Sequence, residues 1–284
     1  MSNIAESLDK AAAVLLSAEI ADPRREADSL LCFATGKDRA FLIAHPEYVL
    51  QTDEAAFFHS IVKRRSDREP FHHITGIKEF YGLDFQVSPD VLIPRPETEM
   101  LVAKSIEILT AKEGPSFCEV GVGSGCIAIS ALYHLPFASA VGLDISGAAI
   151  TIARRNAENH DVLDRLELLV SDVFSGLEQE RFDLIVSNPP YVPVDDIAGL
   201  QREVRDFEPH RALTDGGNGL SVIEKIVQQS PEYLKPCGSV LIEIGFNQAK
   251  AVNAMFDPKV WANVEIVPDF QGIPRMACAR LILR

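Results

Sequence analysis

The 284-residue sequence lacks the features of a membrane-embedded or secreted protein. No apolar run reaches the roughly 18 residues that a membrane-spanning helix requires. The N-terminus has no basic stretch followed by an apolar core, so we expect no secretory signal. The five cysteines lack metal-ligand spacing, and Cys118 and Cys126 lie in apolar runs typical of small core residues. We therefore expect a soluble protein of the reducing cytoplasm, without a metal site.

The sequence also lacks an excess of basic residues. Its formal net charge is −14, and most of the acidic excess follows residue 75. Such a chain is poorly suited to neutralise the many phosphates of a DNA duplex. One cationic cluster, Lys63-Arg64-Arg65 with Arg68, is either a local binding patch or a solvated helix face. The charge favours a protein partner, and we expect a monomer with no direct contact to nucleic acid or membrane.

The sequence pattern predicts two domains joined by a linker. Residues 1–75 place apolar side chains at helical spacing and predict a small helical bundle. Residues 76–96 alternate between apolar and polar side chains and predict a β-hairpin linker. Residues 97–284 alternate strand and helix patterns, with the last two strands predicted at 260–267 and 275–283.

A glycine-rich turn with the sequence Glu-Val-Gly-Val-Gly-Ser-Gly occupies residues 119–125. It lies between an apolar run from Phe117 and an apolar helical stretch from Cys126. A strand, a glycine turn and a helix in this order are typical of nucleotide binding, because glycine N–H groups can approach a ligand closely. A tight turn without a ligand has the same pattern, so the turn alone does not identify a site.

Three further predicted strands end in polar residues. The strand ending at Asp144 places a carboxylate at the spacing from the glycine turn at which acids meet ribose hydroxyls. The strand at 166–170 leads to Asp172, which is predicted either to contact an adenine or to cap a helix. The strand at 182–187 ends at Asn188. Since the carboxyl ends of strands in an open α/β sheet line one crevice, we predict that these side chains share it.

Asn-Pro-Pro-Tyr at residues 188–191 ends the fourth of these strands. Proline has no N–H and a fixed φ, so the strand cannot continue. The stiff turn is predicted to present the Asn188 side chain and the Pro189 carbonyl as two acceptors for a planar –NH2 group. An ordinary Asn-Pro turn would explain the same residues. The long polar stretch at 194–218 has no strand pattern, and we predict that it is a lid.

These motifs resemble those of class I S-adenosylmethionine-dependent methyltransferases, and most closely the release-factor glutamine N5-methyltransferases. The resemblance covers nearly the whole chain. It includes the segments at 69–76, 79–82, 91–99, 207–209, 212–213, 216–220 and 242–245, and Asp269 with Arg275. Of these, Pro-Arg-Pro-Glu-Thr-Glu at 94–99 is highly specific together with Asn-Pro-Pro-Tyr.

The resemblance implies a seven-stranded Rossmann-like domain, mostly parallel with the last strand antiparallel, and an N-terminal bundle that helps to bind the protein substrate. It implies S-adenosyl-L-methionine as cofactor, S-adenosyl-L-homocysteine as product, and class-one peptide release factors as substrate. A bundle that is only a scaffold remains an alternative.

We predict two overlapping sets of site residues. The catalytic and substrate-binding set is Asn188, Pro189, Pro190 and Tyr191. The cofactor-binding set is Glu119, Gly121, Val122, Gly123, Ser124, Gly125, Asp144, Asp172, Val173, Phe174 and Asn188.

The predicted reaction is in-line methyl transfer to the side-chain amide nitrogen of the glutamine in a Gly-Gly-Gln motif. Two alternatives stay open. An adenine-N6 DNA methyltransferase could use the same turn for the exocyclic amine of a flipped base, but it would need a basic recognition region. The other is a non-catalytic or dehydrogenase-type nucleotide binder, of which the dehydrogenase version would leave Asn-Pro-Pro-Tyr without a function.

Overall fold

The computed structural model describes residues 2–282. Met1, Leu283 and Arg284 lie outside the described residues, so the outer ends of the predicted domains and of the predicted last strand are not described. Within the described part, the chain divides into two compact units. The first runs to Gly76 and also contains Gln201–Phe207, and the second comprises Ile77–Leu200 and the residues from Glu208 onward.

The first unit is a helical bundle with local signals at most of its helix ends. The side chain of Asn3 accepts a hydrogen bond from the Glu6 N–H, and Gly36 ends the second helix in the left-handed region. Leucine, isoleucine and phenylalanine side chains at helical spacing fill its core, as the sequence predicts. The helices are α1 (Ile4–Ser17), α2 (Pro23–Thr35), α3 (Arg39–Ala44), α4 (Thr52–Ser66) and α5 (Phe71–Thr75).

The cationic cluster at the end of α4 is internally paired. Lys63 pairs with Asp67, Arg64 pairs with Glu69, and Arg68 pairs with Glu203. The buried Arg65 bonds Glu26 at 2.5 Å and Glu203 at 3.1 Å. Carboxylates pair with all four cations, and Lys63 and Arg64 are exposed whereas Arg65 is buried, so only part of the cluster forms the solvated helix face that the sequence allows.

A two-stranded antiparallel hairpin, β1 (Ile77–Phe80) and β2 (Leu83–Gln86), begins the second unit and confirms the predicted hairpin. Tyr81 and Gly82 form its turn, and both have positive φ. Two central residues in the left-handed region produce a turn that matches the twist of a hairpin.

The first half of the second unit alternates helices with parallel strands. Buried apolar runs form the strands, as expected for a sheet covered on both faces. The elements are α6 (Glu99–Thr110), β3 (Ser116–Val120), α7 (Cys126–His134), β4 (Ser139–Asp144), α8 (Gly147–Asn159), β5 (Leu166–Val170) and β6 (Phe182–Ser187).

The second half of the unit adds the remaining elements of the sheet and its cover. The polar stretch after β6 contains a 3-10 helix (Val194–Gly199) and two short helices. The first of these short helices, α9 (Arg202–Phe207), belongs to the first unit. The second unit continues with α10 (His210–Leu213), α11 (Ser221–Tyr233), β7 (Leu234–Glu243), α12 (Ala249–Asn253), β8 (Trp261–Pro268) and β9 (Pro274–Leu281).

The seven-stranded sheet has the order β5-β4-β3-β6-β7-β9-β8. Pairs from β5 to β7 are parallel, and β9 is antiparallel to both its neighbours, which confirms the predicted sheet. Neighbouring residues of β3 alternate between the two faces, with Phe117 in one apolar cluster and Cys118 in the other. The chain leaves β3 toward β4 on one side and returns to β6 on the other. Ligands bind at the carboxyl ends of strands at such a switch point.

No helix within residues 2–282 combines the length and apolar character that crossing a bilayer demands.

Candidate active site

A cavity of about 270 Å³ opens at the carboxyl ends of β3, β4, β5 and β6 in the second unit. Its wall also includes residues from the stretch between Asp90 and Arg95, Thr98, residues from 211 to 215 of the polar stretch after β6, and Val222. The volume is near the lower end of the range for small-molecule sites. From the predicted set, the cavity is lined by Glu119, Gly121, Val122, Gly123, Ser124, Asp144, Asp172, Val173, Asn188 and Pro190.

The glycine turn after β3 is held against the neighbouring strand. The N–H groups of Gly121 and Val122 both donate to the carbonyl of Leu143, at 2.8 and 2.9 Å. Gly121, Gly123 and Gly125 all have positive φ, a conformation that favours glycine. Gly125 precedes the first residue of α7 and does not line the cavity, so its conformation serves the start of that helix.

Glu119 is a buried carboxyl group at the base of the cavity. Its Oε2 accepts a hydrogen bond of 2.8 Å from the Ala128 N–H in the first turn of α7. Burial raises the pKa of Glu119 well above its usual range, which the Ala128 hydrogen bond opposes and the charge of Asp144 reinforces.

Asp144 lies at the end of β4 and links two segments of the cavity wall. Its Oδ2 accepts from the Gly123 N–H at 2.9 Å, and its Oδ1 accepts from the Ser146 N–H at 2.8 Å. Burial raises the pKa of Asp144, while the two hydrogen bonds and the charge of Arg211 oppose the rise. Each oxygen keeps a further lone pair for a ligand.

The residues after β5 are only partly placed at the cavity. Asp172 is exposed, and its Oδ2 pairs with Lys225 at 3.4 Å. The helix-cap alternative for Asp172 is wrong, since residues 172–176 form a bend and a turn. Phe174, which we predicted to bind the cofactor, does not line the cavity. Its ring is fully buried and stacks on the ring of Tyr233, with 4.7 Å between the two ring centroids.

The Asn-Pro-Pro-Tyr turn brings Asn188 and Pro190, but not Pro189 or Tyr191, to the wall of the cavity. The Asn188 Nδ2 donates to Thr98 Oγ1 at 3.1 Å, so its oxygen remains available as an acceptor.

Tyr191 is directed to a buried carboxylate. Its hydroxyl donates to Glu243 Oε1 at 3.0 Å. Burial, together with the charge and hydrogen bond of Glu243, raises the pKa of Tyr191 above its usual value. The hydroxyl therefore stays protonated at neutral pH and serves as a donor.

Several residues that shape the site were not predicted from the sequence. Thr98 Oγ1 donates to Glu243 Oε2 at 2.7 Å and thereby joins Asn188 to a buried carboxylate. Glu208 accepts from Arg95 at 2.6 Å and from the Ile93 N–H at 3.2 Å, which fixes the wall segment near Arg95. Thr98 and Glu243 occur in the strings at 94–99 and 242–245, but a string does not indicate which side chains pair.

Part of the polar stretch that we predict to be a lid lines the cavity and is held by hydrogen bonds. The Val192 and Val194 N–H groups donate to the carbonyls of Leu213 and Gly217. Asp215 accepts from the N–H groups of Gly217, Gly219 and Ser221 and from the Ser221 hydroxyl. The carboxylate of Asp215 therefore organises the turn that leads into α11.

Two family models match the chain. The model described as "PrmC N-terminal domain" matches residues 6–76, and the model described as "Methyltransferase small domain" matches residues 98–206.

Relatives that match nearly the full length are named release factor glutamine methyltransferase. The protein from Koribacter versatilis is 42% identical over 276 residues, covering 97% of this chain and 97% of the relative. The protein from Geobacter sulfurreducens is 40% identical over 278 residues, covering 98% and 96%. The protein from Salmonella typhimurium is 36% identical over 258 residues, covering 91% and 92%.

Solved structures share the fold of the second unit. A methyltransferase from Pyrococcus furiosus matches with a TM-score of 0.54 at 17% identity, covering 72% of this chain and 92% of that chain. The 16S rRNA N2 G1207 methyltransferase of T. thermophilus matches with a TM-score of 0.51 at 18% identity, covering 73% and 50%. The fold, the cavity and the relatives agree, and the chain belongs to the release factor glutamine methyltransferase family, whose methyl donor is S-adenosyl-L-methionine.

Proposed function

We propose that the chain methylates the side-chain amide nitrogen of the glutamine in the Gly-Gly-Gln motif of class-one peptide release factors, with Asn188 as the residue that holds that amide. The observation that carries the proposal is the hydrogen bond from Asn188 Nδ2 to Thr98. Asn188 lines the cavity, and this bond leaves its side-chain oxygen as an acceptor for an incoming N–H group. The names of the full-length relatives support the choice of substrate.

The wall of the cavity fits S-adenosyl-L-methionine, which supplies an activated methyl group on a sulfonium. Asp144 has lone pairs left over from its backbone hydrogen bonds, and these suit ribose hydroxyls. The positive-φ glycines at 121 and 123 allow a ligand close to the backbone. Asp172 and Val173 line the part of the cavity assigned to the adenine. Glu119 is assigned to the amino end of the cofactor.

The acceptor side of the site must position a poor nucleophile. The nitrogen lone pair of an amide is delocalised into its carbonyl, so it needs alignment with the methyl group. Asn188 Oδ1 would accept one N–H hydrogen of the glutamine. We assign the other to the backbone carbonyl of Pro189, which follows Asn188 but lies outside the cavity wall. As the N–C bond forms and the S–C bond breaks, the nitrogen becomes cationic, and both acceptors then bind it more strongly than in the ground state. One N–H proton then leaves to water.

We also propose that residues 1–75 bind the release factor, that residues 76–96 link the two domains, and that residues 97–284 carry out methyl transfer. Exposed apolar side chains on the bundle, such as Leu16 and Ile43, suit a protein partner. The ion pairs that neutralise the cations at the end of α4, together with the net charge of −14, weigh against the DNA alternative. The proposed acting species is a monomer.

The test incubates the purified chain with S-adenosyl-L-methionine and an intact class-one release factor, followed by peptide mass spectrometry. We expect a mass gain of one methyl group on the Gly-Gly-Gln peptide. A release factor with alanine in place of that glutamine is the matched control and should stay unmodified. Methyl transfer to a DNA duplex without modification of the release factor would overturn the proposal.

A further inference from the structure

A buried hydrogen-bonded chain lies behind the Asn-Pro-Pro-Tyr turn. Glu243 is the last residue of β7 and is almost fully buried. Its Oε2 accepts from Thr98 Oγ1 at 2.7 Å, and its Oε1 accepts from the Tyr191 hydroxyl at 3.0 Å. Thr98 in turn accepts from Asn188 Nδ2 at 3.1 Å. Both polar side chains of the turn are therefore connected to one carboxylate.

The chain has a fixed direction when Glu243 is ionised. A carboxylate has no hydrogen to donate, so both hydroxyl groups must donate to it. The single hydroxyl hydrogen of Thr98 is then committed to Glu243, and its oxygen is left only as an acceptor. The Asn188 side chain must consequently turn its NH2 toward Thr98 and its oxygen away.

The opposite orientation of the amide would harm the proposed reaction. A rotated Asn188 would present NH2 to the NH2 of the substrate glutamine, so two donors would face each other. The two orientations of an asparagine amide have nearly the same shape, and packing alone does not distinguish them. The selection must come from the hydrogen-bond partner, because an unsatisfied or mismatched buried polar group is destabilising.

We propose that Glu243 is a positioning residue which, through the Thr98 hydroxyl, holds the Asn188 amide with its oxygen toward the acceptor glutamine. The inference rests on the proposed function and adds to it the group that determines the polarity of the acceptor site. Burial raises the pKa of Glu243, while the hydrogen bonds from Thr98 and Tyr191 and the charge of Arg275 favour its ionised form. Neither Glu243 nor Tyr191 lines the cavity, so Glu243 acts through Thr98 and not on the substrate.

Two nearly isosteric variants of Thr98 separate the hydroxyl from the packing. Thr98→Val keeps the shape and removes the hydroxyl, whereas Thr98→Ser keeps the hydroxyl and loses only a methyl group. The readouts are the single-turnover rate on a saturating release factor and the calorimetric affinity for S-adenosyl-L-homocysteine. We expect Thr98→Val to slow the rate by about 10- to 100-fold while cofactor affinity changes less than about threefold. Thr98→Ser should stay within about threefold of the wild type.

A double-mutant cycle tests whether Thr98 works through Asn188. If it does, adding Thr98→Val to Asn188→Ala should slow the reaction by less than about twofold, because the side chain that Thr98 orients is already gone. Glu243→Gln is measured in the same two backgrounds and replaces Thr98→Val if that variant does not fold. Multiplying effects in the double mutant would indicate a general distortion and overturn the inference.

The outcomes also separate this inference from the proposed function. A wild-type chain that leaves the glutamine unmethylated contradicts the proposed function. A wild type that methylates the glutamine, together with equal rates for Thr98→Val and Thr98→Ser, contradicts only the positioning role of Glu243.

Discussion

Asn188→Asp is expected to produce an enzyme whose activity relative to the wild type falls as the pH rises. The introduced carboxyl group would occupy the place of the amide, with one oxygen toward Thr98 and the other toward the substrate. The Thr98 hydroxyl already donates its only hydrogen to Glu243, so toward the new carboxyl group it can act only as an acceptor. The ionised carboxylate would therefore face an acceptor, whereas the protonated acid could donate to Thr98 and keep an oxygen for the glutamine.

The size of the effect follows from the distance to Glu243. Through the shared Thr98 oxygen, the new group and the Glu243 carboxylate lie at most about 6 Å apart. At an effective dielectric constant of about 20, two negative charges at that distance repel by about 3 kcal/mol. A repulsion of this size raises the pKa of the introduced carboxyl group by about two units, from about 3.9 toward 6, and burial adds to the rise.

The sign follows from which form is active. The neutral form imitates the asparagine, so activity is retained below the raised pKa and is lost as the pH rises through it. We expect rates within about tenfold of the wild type at the acid end and about 10²-fold lower at the alkaline end, the cost of losing one oriented acceptor. This ratio of the Asn188→Asp rate to the wild-type rate is measured in single-turnover experiments from pH 5.5 to 8.5 with saturating cofactor.

Asn188→Ala is the control for the pH series. It removes the side-chain acceptor at every pH, so its rate relative to the wild type should be low and constant. A ratio of Asn188→Asp to the wild type that is flat, or that rises with pH, would show that Thr98 and Glu243 do not determine the polarity of this site. Equal rates for the wild type and Asn188→Ala would remove Asn188 from the mechanism.

Three further predictions test the cofactor wall, the lid and the bundle. Asp144→Ala should weaken S-adenosyl-L-homocysteine binding, measured by calorimetry, by about 1.5–3 kcal/mol. Asp172 is exposed, so Asp172→Ala should change the binding free energy by less than about 1 kcal/mol. An unchanged affinity in a folded Asp144→Ala variant would remove Asp144 from the site. Although burial opposes it, hydrogen bonds from Ser221 and neighbouring N–H groups lower the pKa of Asp215 to about 2. Asp215→Ala should therefore lower the unfolding free energy, measured with urea at pH 7, by about 1–2 kcal/mol. The difference from the wild type should shrink only as the pH falls from about 4 through about 2, where the carboxylate becomes protonated. Equal stabilities at pH 7 would contradict this prediction. Arg65→Met should lower the unfolding free energy by about 2–3 kcal/mol because it leaves carboxylates without their buried partner. Lys63→Met breaks an exposed pair and should lower it by at most about 0.5 kcal/mol. Similar losses in the two variants would show that the burial of Arg65 does not affect stability.

The sequence predicts the parts of this fold that depend on local pattern. The strands β3 to β6 are apolar runs of five or six residues. β3, β4 and β6 are largely buried and β5, at the edge of the sheet, is partly buried, so an apolar run and its polar end can be recognised. Because strand ends of a parallel sheet lie at one edge, the spacing also predicts that Glu119, Asp144 and Asn188 line one cavity.

Phe174 shows where a local pattern is insufficient. It follows Asp172 and Val173 in the chain, so the sequence places all three at the cavity. Val173 has a φ of 53°, in the left-handed region that valine rarely adopts. The backbone turns at this point, and the Phe174 ring lies in the core against Tyr233. A positive φ at a β-branched residue has no signature in the sequence, so this turn could not be predicted.

The cations at the end of α4 show the same limit for charges. Their sequence neighbourhood allows a basic patch, and two of the neutralising carboxylates, Asp67 and Glu69, are indeed nearby in the chain. The partners of Arg65 are Glu26, 39 residues away, and Glu203, 138 residues away on a segment that belongs to the first unit. Composition therefore predicts the net charge of the chain, but it does not predict whether a given cluster of cations is already paired with carboxylates in the fold.

The orientation of Asn188 depends on contacts that span the chain. Thr98 is 90 residues from Asn188 and 145 residues from Glu243. Each residue alone has an ordinary explanation: a threonine before a helix, or an acid at the end of a strand. The direction of the hydrogen bonds arises only when a group that can donate once lies between a carboxylate and an amide. In the proposed mechanism, the motif supplies the side chain that meets the substrate, whereas Thr98 and Glu243, which lie outside the motif, select the atom that this side chain presents.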